Sequence, residues 1–221
     1  MQEFINTLSK EFQLNSNANI AAGQAQYMRN QFAFFGLSAP ERKQIQQAFL
    51  VNKYLPPKSQ MPEIVKQLWQ KEQREFQYFA QEFALKYSNR VEKQDIELFA
   101  YMISHKSWWD TVDFIATKLV GNYFKQFPKQ RDYYVQKWLD SQNIWLQRSA
   151  VLFQLKYKND LDTELLTLII KSLQPSNEFF INKAIGWILR EYSRSNPAWV
   201  QDFVAQNQLS KLSAREALRL L

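Results

Sequence analysis

Apolar positions along this chain recur at helical rather than strand spacing. Phe4, Ile5, Leu8 and Phe12 form one stripe, which predicts a first helix over residues 2–13. The polar break from Asn15 to Asn19 precedes a second helix, expected to end near Gly36, a residue suited to the position just past a helix C-terminus. Ser38-Ala39-Pro40-Glu41 is a capping-box pattern with proline in the first turn, so a third helix starts there. Ser213-Ala214-Arg215-Glu216 has the same box and is expected to start the last helix.

Between these ends the chain repeats itself. Four segments lead with a bulky aromatic followed by small or apolar positions: Glu75 to Ala80, Trp108 to Asp113, Ile144 to Ser149 and Phe179 to Ala184. The leading aromatics Phe76, Trp109, Trp145 and Phe180 stand 33, 36 and 35 residues apart. Each opens the second helix of a pair, with intervening helices predicted around 92–104, 129–141 and 162–173. This is the pattern of an all-α solenoid of HEAT or armadillo type, read as a single domain over residues 1–221. Four residues after the leading aromatic come Ala80, Asp113, Ser149 and Ala184. A packing position would not select a carboxylate, so Asp113 stands out; it could be a plain salt-bridge partner, but its out-of-pattern place argues against that. On the neighbouring stripe Phe79, Val112, Arg148 and Lys183 turn basic toward the C-terminus.

Trp109 and Asp113 are four apart and share a helical face. Arg148 follows Trp109 by 39 residues, and Trp187 follows Arg148 by another 39. In a solenoid such spacing sets equivalent helices side by side. The expectation is a concave basic groove lined by two tryptophans, a carboxylate and a guanidinium, which suits a cationic reacting centre beside a phosphate backbone.

Composition narrows the classes. Only 4 glycines and 7 prolines occur, and each proline (Pro40, Pro56, Pro57, Pro62, Pro128, Pro175, Pro197) falls between helical patterns or at the start of one. With no cysteine, disulfides and thiolate metal sites are excluded, which suits a reducing cytosol. The lone histidine, His105, falls at a helix–helix turn and reads as a cap rather than a general base. No metal or cofactor is expected. The net charge of +7 points to an anionic partner: nucleic acid, an anionic membrane surface or an acidic protein. No apolar run is long enough for a membrane span, and Met1-Gln2-Glu3-Phe4-Ile5 lacks the features of a signal peptide, so a cytoplasmic setting is expected.

Three stretches carry a resemblance. Lys106 to Asp113, Asn143 to Lys158 and Glu178 to Tyr192 closely resemble the AlkD-type DNA alkylation repair glycosylases, and the likeness runs from about Tyr27-Met28-Arg29-Asn30 to Ser213-Ala214-Arg215-Glu216-Ala217. The resemblance implies HEAT-like repeats and removal of positively charged N3- and N7-alkylated purines from duplex DNA. It implies Asp113 as catalytic carboxylate, Trp109 and Trp187 as active-site aromatics, and Arg148 as a backbone contact. It extends to Lys183, at a phosphate-binding position, and to Tyr27, within a matched segment. Lys156 and Arg190 are further DNA contacts to be weighed against plain solvated charges. Relatives that lack the Trp–Asp–Trp set only bind DNA; here the set is present, which implies catalysis. The chain ends at Leu221, and a C-terminal extension of the family is the part expected to be missing.

These residue types suit that chemistry. An alkylated purine is already a cation and leaves without protonation, so no histidine is needed. A carboxylate can stabilise positive charge developing on the deoxyribose and orient the attacking water. Tryptophan faces attract a cation, and arginine can hold a phosphate through two hydrogen bonds. No lysine nucleophile belongs to the set, so a monofunctional enzyme acting as a monomer in a bacterial cytosol is expected, with neutral lesions such as uracil spared. The competing classes are a non-catalytic binder of damaged or branched DNA and a protein-interaction scaffold.

Overall fold

A computed structural model describes residues 1–174 and 176–221; Pro175 lies outside the described residues. Their regular structure is entirely helical, and no strand forms among them, the one β-type feature being an isolated parallel bridge between Ala33 and Gln73. The helices gather into two compact units, Met1–Asp95 and Ile96–Leu221.

The first unit is built on α1 (Gln2–Leu14), α2 (Ala18–Tyr27), α3 (Ala39–Gln47), α4 (Met61–Gln70) and α5 (Arg74–Leu85). The predicted stripe of α1 buries Ile5, Leu8 and Phe12. Phe12 meets Phe35, Phe76 and Phe79, and Phe79 stacks on Phe83, so phenylalanines fill much of this core. Trp69 is fully buried here, a packing residue as its surroundings in α4 require. The capping box at Ser38 forms in full, with Pro40 in the first turn of α3.

The second helix does not reach Gly36. It stops at Tyr27, and Arg29 and Asn30 turn left-handed, at φ 54° and 55°. The reason lies far along the chain. The buried carboxylate of Glu75 accepts N–H bonds from Phe35, Gly36 and Leu37, which ties this segment down as an irregular strap. Gly36 is required there on two counts: φ is 87°, and a Cβ would stand 2.0 Å from the Asn17 carbonyl oxygen.

The second unit stacks helices in two rows. One row contains α6 (Asp95–Ser104), α9 (Pro128–Asp140) and α11 (Thr163–Leu173). The other contains α7 (Trp109–Phe114), which runs through a π-helical stretch (Ile115–Val120) into α8 (Gly121–Gln126), then α10 (Ile144–Leu152), α12 (Phe179–Tyr192) and α14 (Lys211–Ala217). In this row α7 packs on α10, α10 on α12 and α12 on α14; α13 (Pro197–Gln206) lies against the last two. This is the stacking of an α-solenoid of helical repeats, and the intervening helices fall where the periodicity puts them. Pro62, Pro128 and Pro197 each sit in a first helical turn, where their missing N–H is harmless. Trp138 is buried in the core of this unit, whereas Trp145 and Trp199 are half-buried.

The last helix starts three residues earlier than the box at Ser213 suggests. Its cap is Ser210, whose hydroxyl accepts the Ser213 N–H. Ser213 itself is buried and donates to the Asn182 carbonyl on α12. Among the described residues no helix is long and apolar enough to cross a membrane.

Candidate active site

The residues that matter most come from α7, α10 and α12 of the second unit. Trp109 opens α7, after Trp108 in extended conformation, and Asp113 lies one turn further on. Directly after Asp113 and Phe114 the helix widens into its π turn, where the Thr117 hydroxyl donates to the Asp113 carbonyl at 2.7 Å. Nothing in the sequence marks this widening, because Ile115, Ala116, Leu119 and Val120 continue an ordinary buried stripe. π turns recur at functional sites because they shift a side chain's direction without ending the helix.

The odd position in the repeat alignment behaves as an odd position. Ala80, Ser149 and Ala184 are fully buried, as packing residues should be. Asp113 keeps 16% of its side chain exposed and is paired. Arg148, from α10, donates Nε–H to Oδ1 at 2.7 Å and Nη2–H to Oδ2 at 2.9 Å. Its Nη1 donates to the Phe180 carbonyl at the start of α12. Three of the guanidinium's donors are therefore used inside the protein, and the residue is only 3% exposed. Arg148, expected on a DNA phosphate, here fixes the carboxylate. Fork-to-fork pairing of this kind sets orientation as well as energy.

Burial pushes the Asp113 carboxyl above the usual carboxylate range; the Arg148 hydrogen bond and charge pull it back, and Asp110 adds a smaller upward push. The site resists the charged form while Arg148 favours it, and a carboxylate ionised in such a setting acts strongly on a developing cation.

An aromatic cluster adjoins the pair on the Arg148 side. Trp108, Trp145 and Phe180 form a cluster with centroids 4.9–5.7 Å apart, and the Arg148 guanidinium carbon is 5.9 Å from the Phe180 ring. Trp108 lies within a matched stretch without being singled out by the sequence, and Phe180 stands out there only as a leading aromatic of the repeat. Trp109 and Trp187 are half-buried. Phe179, beside the cluster, is 57% exposed.

The remaining basic candidates are all ion-paired. Lys156 meets Glu191 at 2.8 Å on the surface, while Lys183 and Arg190 both meet Glu216, at 2.8 and 2.6 Å. Glu216 escaped notice because it fits a capping box that does not form. Tyr27 belongs to the first unit, where it ends α2 and is 71% exposed. His105 follows α6, stacks on Tyr101 and places Nδ1 2.9 Å from the Tyr101 carbonyl, as a capping residue does. Among the described residues no group of three or more acidic or histidine side chains is arranged to hold a metal ion.

The family model described as "DNA alkylation repair enzyme" matches residues 8–221. The chain is similar to a solved structure described as a predicted DNA alkylation repair enzyme from Enterococcus faecalis, with 33% identity, a TM-score of 0.87, and 93% of this chain and 96% of that one covered. No curated protein is found that matches the chain. With the match spanning nearly the whole sequence, the chain belongs to the family of DNA alkylation repair enzymes.

Proposed function

We infer that this protein is a monofunctional DNA glycosylase that hydrolyses the N-glycosidic bond of N3- and N7-alkylated purines in duplex DNA. The observation that carries this reading is the part-exposed Asp113 carboxylate, gripped through both oxygens by a buried arginine and set beside a half-buried tryptophan on its own helix. The lesion base bears a full positive charge. As its bond to C1′ breaks, the bonding electrons pass to the base, which leaves neutral, and positive charge grows on the deoxyribose. Asp113 stabilises that charge electrostatically and orients water toward C1′. The water's oxygen bonds C1′ and its proton passes to Asp113 or solvent. Trp109 and Trp187 present π faces to the cationic nucleotide, worth about 0.5–2 kcal/mol each.

Lys156, Lys183, Arg190 and Tyr27 are proposed to hold the DNA backbone, with Arg148 acting on the lesion chiefly through Asp113. The substrate is alkylated duplex DNA in the cytosol, and the enzyme acts as a monomer without a cofactor. The deciding experiment measures free 7-methylguanine released from methylated duplex DNA by the intact protein and by Asp113→Asn. We expect release by the intact protein and a loss of at least about a hundredfold in the variant, the size typical of a lost transition-state contact. No release by the intact protein, together with salt-dependent DNA binding, would assign it instead to non-catalytic recognition of damaged DNA.

A further inference from the structure

The Glu216 carboxylate lies outside the Asp113–Arg148 pair and caps nothing, since Ser210 caps α14. It is 7% exposed, yet it serves two cations at once. Oε1 meets Lys183 Nζ at 2.8 Å and Oε2 meets Arg190 Nη1 at 2.6 Å. Both cations come from α12, and Trp187 stands between them. Positions 183, 187 and 190 step by four and three residues, so they share one stripe of that helix.

The contact depends on an unusually close helix approach. A Cβ on Gly186 would come within 2.5 Å of Glu216 Cβ and 2.9 Å of the Ser213 carbonyl oxygen, so glycine lets α14 lie directly against α12. The Ser213 hydroxyl locks the same interface by donating to the Asn182 carbonyl at 2.8 Å. Glycine, serine and glutamate together deliver one carboxylate to the two cations beside Trp187.

For mere attraction of DNA this arrangement is counterproductive, because the carboxylate offsets one of the two positive charges. What it supplies is position. Free lysine and arginine side chains each carry about 2 kcal/mol of rotamer entropy, which is lost when they grip a phosphate. Two cations already held in place lose less. Their donors are not exhausted, since an ammonium has three and a guanidinium five. Their side chains remain 39% and 23% exposed.

We propose that Glu216 is a positioning residue that holds Lys183 and Arg190 astride Trp187 as a paired phosphate clamp on the lesion-bearing strand. The proposal rests on the glycosylase reading for its substrate and names the device that presents the backbone to the site.

The test uses the full chain, two duplexes and two readouts. The duplexes are identical except that one carries a tetrahydrofuran abasic-site analogue, and binding to each is measured by fluorescence anisotropy. Single-turnover release of 7-methylguanine is measured alongside. Glu216→Gln removes a negative charge, so charge alone predicts equal or tighter binding to both duplexes. Positioning predicts that the preference for the damaged duplex drops about tenfold and that release slows by a similar factor, because the cations no longer arrive pre-set. In a Lys183→Gln/Arg190→Gln background the further change Glu216→Gln should alter neither readout, as the residue acts through those two cations. An unchanged preference in Glu216→Gln, an equal drop in both backgrounds, or an intact chain with no preference overturns the proposal. Should the intact protein release no 7-methylguanine, the glycosylase reading fails, and the binding preference alone still decides the clamp. If Glu216→Gln does not fold, Glu216→Asp, which keeps the charge but shortens the arm, takes its place under the same criteria.

Discussion

In the proposed mechanism Asp113 must be ionised to act, yet its surroundings disfavour the charge. Burial raises its carboxyl above the ordinary range and Arg148 only partly restores it. The rate of base release should therefore fall with decreasing pH before an exposed aspartate, with its pKa of about 3.9, would protonate. A single-turnover pH profile on pre-methylated DNA checks this; a midpoint at or below the ordinary aspartate value would contradict it. The same shift has the opposite sign for stability. A folded-state pKa raised above the unfolded one contributes stability that is complete below the unfolded value and is lost as pH rises through the folded value. Asp113 thus weakens the fold in the pH range where the proposed mechanism needs it ionised. Arg148 limits that weakness. Arg148→Ala strands a mostly buried carboxylate and should cost about 3 kcal/mol, or roughly 6–12 °C in melting temperature for a chain of this size. A variant that melts with the intact protein would show the pair to be energetically idle.

At the scale of helices, the interface of α12 with α14 makes the sharpest prediction. Glycine inside a helix is normally improved by alanine, by about 1 kcal/mol. At Gly186 the added methyl would meet Glu216 Cβ and the Ser213 backbone inside contact distance, forcing the two helices apart. Gly186→Ala should therefore lower stability, by about 1–2 kcal/mol net, from overpacking; a thermal melt that rises instead would refute the tight approach. This interface also shows where sequence reading stops. The α1 stripe and the Ser38 box are local devices and were legible because everything they need lies within one or two turns. The true end of α2 was not, because Glu75, some 40 residues away, holds the strap that follows it. At the last helix, Ser210 and Ser213 offered two starts three residues apart, and the bond from Ser213 to Asn182 decides between them. The site divides the same way. Asp113 announced itself by breaking a repeat whose other members are Ala80, Ser149 and Ala184, all fully buried. Its bond to Arg148 was hidden, since the pattern showed a basic stripe and not the partner across the helix row. Trp108 was hidden too, one residue before the leading aromatic Trp109, while Phe180 was legible as a leading aromatic of the repeat but not as a neighbour of Arg148.

For the molecule as a whole, a net charge of +7 attracts DNA without deciding how tightly it is held. Much of the positive charge assigned to DNA contact is already partnered: Lys156 by Glu191, Lys183 and Arg190 by Glu216. A cation shared with a carboxylate still releases a counterion from DNA when it meets a phosphate, so ion pairing alone does not remove it from the salt dependence. Each true phosphate contact should contribute about one to the slope of log affinity against log salt. Lys183→Gln/Arg190→Gln should then flatten that slope by about two. Lys156 is 62% exposed and its surface pair contributes little. Lys156→Gln should flatten the slope by about one while leaving the melting temperature unchanged. Affinity titrations on one undamaged duplex across a salt series measure all of this. Weakened binding with an unaltered slope would mean that these residues shape the protein rather than touch the phosphates. The DNA grip would then have to come from the other basic side chains that make up the net charge.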